Sequence, residues 1–232
     1  MATTAELTQF VWDVMDLEEV DLPGALVRQF MRDGFDRIVN LERRWPFYES
    51  SYTLNTTPSQ RDYPIGSIGA GDLREVVSIL DNSSAGNRLT ITSIDDAEAL
   101  WHGSFDVPTR PLFYTEWGET IKLYPKPDAV YPLSVRGYRK PSYTWVTDTT
   151  LQPDLDYRFH TALAYYAISQ AYKRQEDTEM TNQYKQSFDE AVQLAKLEIM
   201  RPPSHRPMIM SRGYVRPSSK YWLESMGRTL GQ

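Results

Sequence analysis

The chain has 232 residues, 41% of them hydrophobic and 24% charged, with a mean hydropathy of −0.53 and a formal net charge of −6. That is room for one large domain or two small ones with a real core. It excludes a transmembrane stretch of about 20 apolar residues, and zero cysteines exclude a disulfide framework or a thiolate metal site. The charge is divided unevenly: residues 1–200 hold 19 Lys+Arg against 30 Asp+Glu, whereas residues 201–232 hold 6 against 1. An acidic body with a basic tail concerns partners more than fold. No basic n-region followed by an apolar h-region begins the sequence, so no secretory signal is expected.

In chain order, a first helix is expected over residues 4–19. Thr3 and Glu6 have capping-box spacing, and Leu7, Phe10, Val11, Val14 and Met15 recur at helical period. A second helix is expected from Leu22 to about Arg44, with Asp21 as its cap and Pro23 in the first turn. Its stripe is Leu22, Leu26, Phe30, Ile38 and Leu41, widened by Val27, Met31 and Phe35, on a rod of about 34 Å. Pro46 ends it.

From Ser50 to Pro141 the pattern changes to short β-leaning runs between turn residues. The expected strands are Tyr52–Thr56, Arg61–Pro64, Leu73–Asp81, Arg88–Thr92, Leu112–Trp117, Thr120–Tyr124 and Leu133–Tyr138. Asn82–Asn87 reads as a loop, Gly118-Glu119 as a tight hairpin, and Ile94–Trp101 as a short helix behind Ser93. The helices then return. Asp154 or Asp156 caps a segment to about Gln175 that is apolar almost all round, hence buried on several faces. After Glu176-Asp177, a long helix carries Met180, Tyr184, Phe188, Ala191, Ala195 and Ile199, stopped by Arg201-Pro202-Pro203.

The fold expected is α+β: a helical bundle of residues 4–45 and 154–200 with an inserted small antiparallel β-sandwich or barrel and an extended C-terminal tail. As domains, this gives 1–48 with 151–200 as helical core, 49–150 as β module and 201–232 as basic tail. The tail has four prolines and no sustained period, apart from a short helix over Ser218–Met226. Its hot-spot residue types suit docking into a partner's groove, with packing on its own body as the alternative. The binding residues expected there are Arg206, Met208, Ile209, Arg212, Tyr214, Arg216, Tyr221, Trp222 and Leu223.

Chemistry is sparse. His102, His160 and His205 do not fall at metal-ligand spacing, and no HExxH, GxSxG or Walker loop occurs. No metal, cofactor or catalytic residue is therefore expected. Asp95-Asp96-Glu98, Asp154/Asp156 and Glu176-Asp177-Glu179 coincide with helix starts, where capping explains them better than catalysis. The β module is rich in rings, including Tyr52, Tyr63, Tyr114, Trp117, Tyr124 and Trp145. Core and interface packing is the plainer explanation; a carbohydrate-binding face would require exposed, coplanar rings.

Several segments in succession carry a resemblance. They are Arg43-Arg44-Trp45-Pro46-Phe47, Arg61-Asp62-Tyr63-Pro64, Leu123-Tyr124-Pro125-Lys126-Pro127-Asp128, Tyr131–Tyr138 and Leu155-Asp156-Tyr157-Arg158-Phe159-His160. Together, over roughly residues 5–200, they resemble the adaptor or head-to-tail connector proteins of tailed bacteriophages, especially short-tailed ones. The resemblance implies a virion protein, assembled in the host bacterial cytoplasm, that is not an enzyme. It implies a ring, typically of twelve copies, beneath the portal protein, extending the DNA channel and offering a platform to tail or nozzle proteins. The tail would grip the portal, genomic DNA would pass without specific binding, and no membrane would be involved. The alternatives are a head-closure or stopper ring and, from another class, a carbohydrate-binding module or peptidoglycan hydrolase.

Overall fold

The computed structural model describes residues 2–83, 87–102 and 106–200. The expectations for the tail, including its nine binding residues and the helix over 218–226, lie outside the described residues, as do His205 and part of the 82–87 loop.

Helix α1 (Thr4–Met15) starts on a complete capping box: the Glu6 amide donates to Thr3 Oγ1 at 3.2 Å and the Thr3 amide to Glu6 Oε2 at 2.8 Å. It ends four residues earlier than its pattern suggests. Asp16 takes a left-handed conformation (φ 52°), and the Trp12 indole donates to the Leu22 carbonyl at 2.8 Å, folding the chain back. Helix α2 (Gly24–Leu41) begins after Pro23, not on Asp21. The Asp21 carboxylate instead accepts from the Glu18 amide within the α1–α2 turn. The buried face of α2 runs through Val27, Met31, Phe35 and Ile38, while Leu41, expected inside, is 49% exposed. Gly34 sits where a Cβ would lie 2.9 Å from the Tyr166 ring, so α2 and helix α5 (His160–Arg174) approach too closely for any side chain there.

The middle of the chain forms two sheets. One has the order β1–β7–β3 (Glu49–Asn55, Pro132–Arg139, Leu73–Asp81), with both pairings antiparallel. The other has the order β2–β6–β5–β4 (Asp62–Pro64, Thr120–Tyr124, Phe113–Trp117, Thr90–Ile91). Its β4–β5 pair is parallel, a departure from the all-antiparallel expectation that follows because helix α3 (Ile94–Leu100) intervenes between the two strands. Gly118 and Glu119, both at φ 57°, make the two-residue hairpin between β5 and β6. Tyr63, Ile79, Tyr114, Ile121, Leu133 and Val135 bring inward residues of both sheets into one core. Gly137 is required on the central strand β7, because a Cβ there would stand 2.0 Å from the Glu75 carbonyl oxygen.

A joint ties this sandwich to the helices. Trp45 is fully buried, donates to the Ile38 carbonyl at 3.1 Å, and meets Phe47 and Phe159 at ring separations of 5.4 and 5.3 Å. Tyr48 donates to the Asp154 carbonyl at 2.8 Å. Asp154, one of the two candidate caps, holds the Arg139 guanidinium in a two-pronged pair at 2.5 and 2.6 Å and accepts from the Ser142 amide at 2.7 Å. Asp156 is the cap, accepting from the Arg158 amide at the 3-10 turn Tyr157–Phe159 that leads into α5. Helix α4 (Thr144–Thr147), unexpected from its β-forming residues, carries Trp145 into a fully buried position against Phe35. Helix α6 (Thr178–Ile199) follows, with the Asp177 carboxylate accepting from the Met180 amide at 3.0 Å.

Candidate assembly surfaces

The buried polar groups serve the fold. Arg61 lies 4.4 Å above the Tyr124 ring and pairs with Asp106, which also meets Lys126 at 2.7 Å. Arg110 reaches the buried Asp81 at 2.6 Å. Burial alone would raise the Asp81 carboxyl, but Arg110 and Ser83 reverse the effect and hold it below the ordinary range. His160 is 4% exposed at the start of α5, and burial pushes it below its ordinary value. Among the described residues no group of three or more His, Cys, Asp or Glu could hold a metal ion.

Asp96 lies at the first turn of α3, where its amide donates to the Ser93 cap at 3.1 Å. Asp156 and Asp177 cap the starts of the helices after them, whereas Asp154 is held by Arg139. The rings of the β module are mostly inside: Tyr124 and Trp145 are fully buried, Tyr63 is 4% and Tyr114 3% exposed. Among the described rings of the module Trp117 is the most exposed at 61%, with Tyr143 at 38%. Trp117 stands on the rim of a cleft of about 460 Å³ with Ile91, Arg43, Arg44, Glu75 and Glu116. Glu75 is taken by two guanidiniums, Arg43 at 3.0 Å and Arg44 at 2.6 Å. Loss of solvent on its cleft side and the nearby Glu75 push Glu116 upward. The cleft thus holds two carboxyls and one ring, with one of the carboxyls already committed to ion pairs.

The outward faces differ from the joint in having side chains without internal work. On α6, Leu194 and Leu197 are 65% and 68% exposed. On the outer side of β1–β7–β3, a second groove runs past Val77, Arg88 and Arg136. At the α1–α2 turn, Val20 is 89% exposed. None of these surfaces was singled out by periodicity, since each depends on register or on where a turn folds back. Among the described residues no helix is long and apolar enough to cross a membrane.

What these features define is an α+β body with a densely tied joint, carrying no assembled catalytic centre among its described residues and several unoccupied outer faces. The SU10 adaptor protein family matches residues 2–210, and the chain belongs to that family of phage head-to-tail adaptors. No curated protein matches the chain significantly. The segments that carry the resemblance are those of the joint and the sandwich core: Trp45, Tyr63, Tyr124, Val135 and Phe159 are all buried.

Proposed function

We propose that this chain is the subunit of an adaptor ring that attaches beneath the portal, lengthens the DNA channel and presents a platform to tail or nozzle proteins. The observation that carries the reading is the family match across residues 2–210, almost the whole chain. The charge distribution supports it. A body with a strong excess of carboxylates lets DNA slide past, where a lysine-rich lining would hold phosphates. The ring is of twelve copies in this proposal, and it is assembled in the host bacterial cytoplasm.

Attachment is assigned to residues 201–232, through Arg206, Met208, Ile209, Arg212, Tyr214, Arg216, Tyr221, Trp222 and Leu223. Each tail adds modest affinity after its ordering cost, and many tails engaged on one portal add avidity. Co-sedimentation with the portal encoded by the same genome tests this. The full chain is expected to co-sediment and a chain ending at residue 200 to remain in the supernatant with an unchanged helical circular dichroism signal. Equal co-sedimentation of both would remove the tail from the attachment.

A further inference from the structure

The outer face of the β1–β7–β3 sheet bears a groove of about 570 Å³ whose walls include Glu49, Val77, Ser78, Arg88, Arg136 and Tyr138. A register shift between Val76 and Ser78 accompanies the outward placement of Val77, which is 44% exposed. Arg88 and Arg136 are both exposed, and among the described residues neither guanidinium has an ion-pair or hydrogen-bond partner. Their situation contrasts with Arg44, Arg61, Arg110 and Arg139, each of which is held by a carboxylate. Two guanidiniums without a carboxylate partner among the described residues, set beside an apolar spot, form a receptor for a carboxylate-bearing knob.

The chain itself carries such a knob. Residues 12–27 contain Asp13, Asp16, Glu18, Glu19 and Asp21 and no lysine or arginine. Within them Val20 is 89% exposed, more than any other large apolar side chain among the described residues. The turn is held in shape. The amides of Asp21 and Leu22 both donate to the Glu18 carbonyl at 3.0 Å, the Glu18 amide donates to the Asp21 carboxylate, and Trp12 fastens Leu22. A knob held this way loses little freedom on docking.

We infer that Val20, collared by Glu18 and Glu19, docks against Val77 between Arg88 and Arg136 of a neighbouring copy of the same chain. The inference rests on the adaptor-ring reading above. It deepens that reading, because joining two different patches of identical subunits is a head-to-tail contact, which closes into a ring when its rotation allows. Charge complementarity selects the partner and the register, and the apolar pair supplies the dry centre. Glu49 at the groove's edge opposes a carboxylate there, so the contact is centred toward the arginines.

The absence of native cysteine makes the test direct. Full-length chains bearing Val20→Cys are mixed with chains bearing Val77→Cys on the portal, then oxidised. Disulfide-linked dimers are expected from this mixture and not from Leu194→Cys with Val77→Cys. In parallel, Arg88→Glu with Arg136→Glu is expected to lower ring occupancy on the portal about tenfold. Adding Glu18→Arg and Glu19→Arg to the same chain should restore it, an outcome that misfolding cannot mimic. A full ring from the reversed chain, or a cysteine at 77 that links to the portal or a tail protein instead of a second copy, overturns this contact and leaves the adaptor reading standing. No wild-type ring on the portal overturns both.

Discussion

Helices α5 and α6 are neighbours in sequence and opposites in use. Nine of the fifteen residues of α5 are buried, among them Ala162, Leu163, Ala164, Ala167 and Ile168. Of the 22 residues of α6, only Phe188, Val192 and Ala195 are buried. The first is a scaffold on which α1 and α2 pack, with small residues permitting close approach. The second is attached through a few side chains, chiefly Phe188 against Tyr166 at 5.1 Å and Tyr184 stacked on Tyr172 at 5.7 Å, and turns Leu194 and Leu197 outward. A helical stripe in a sequence therefore reports a face that is apolar, and not which body will cover it.

The comparison can be broken at α6's anchor. Phe188→Ala is expected to cost about 3–5 kcal/mol, because it removes the main ring contact holding α6; urea unfolding measures it. A loss under about 1 kcal/mol would mean that α6 is held some other way. Next in size is Ala167→Leu in α5, where a fully buried site has no room and overpacking costs about 1–3 kcal/mol. A stabilised or unchanged midpoint would contradict the close packing of α5.

His160 gives α5 a pH dependence. Its folded pKa is lowered by burial, although the nearby carbonyls of Leu155 and Pro153 oppose the shift. The unfolded chain therefore takes up a proton that the folded chain resists. Its contribution to stability is intact above the unfolded value of about 6.5 and declines as pH falls below it. Unfolding midpoints for the native chain and His160→Gln, followed from pH 8 to pH 5, should converge as the pH drops; parallel curves would remove His160 from the pH response. The smallest effect is expected for Leu194→Ser, within about 0.5 kcal/mol. A larger loss would show that this side chain is covered in the free protein.

Much of the fold was legible from residue patterns. The bounds of β3 and β6 coincide with the expected Leu73–Asp81 and Thr120–Tyr124, and Thr3, Ser93 and Gly118-Glu119 perform their expected local roles. Such signals are local: a cap or a hairpin is decided within a few residues. The rest was decided at a distance. The residue pattern left the cap of α5 between Asp154 and Asp156, and the choice falls to Asp156 because Arg139, from the far end of the β module, claims Asp154. Helix α4 escaped because its Thr and Val favour strands, and burial of Trp145 overrides that preference.

The outer surfaces were least legible. The groove around Arg136 exists because the register of β3 against β7 shifts near Ser78, which composition does not encode. Tyr124 and Trp117 were grouped as rings of one module, yet one is fully buried and the other 61% exposed. The placement of Tyr124 follows from Arg61 over its face and Trp101 at 5.9 Å, both long-range contacts. Among the described rings of the β module only Trp117 and Tyr143 count as exposed, at 61% and 38%.

The most direct test of the adaptor reading is negative-stain imaging of the purified protein mixed with the portal of its own genome. The account predicts an added ring, coaxial with the channel, capping one end of the portal. Portals that remain bare at every salt concentration, while the protein itself stays folded, would contradict it.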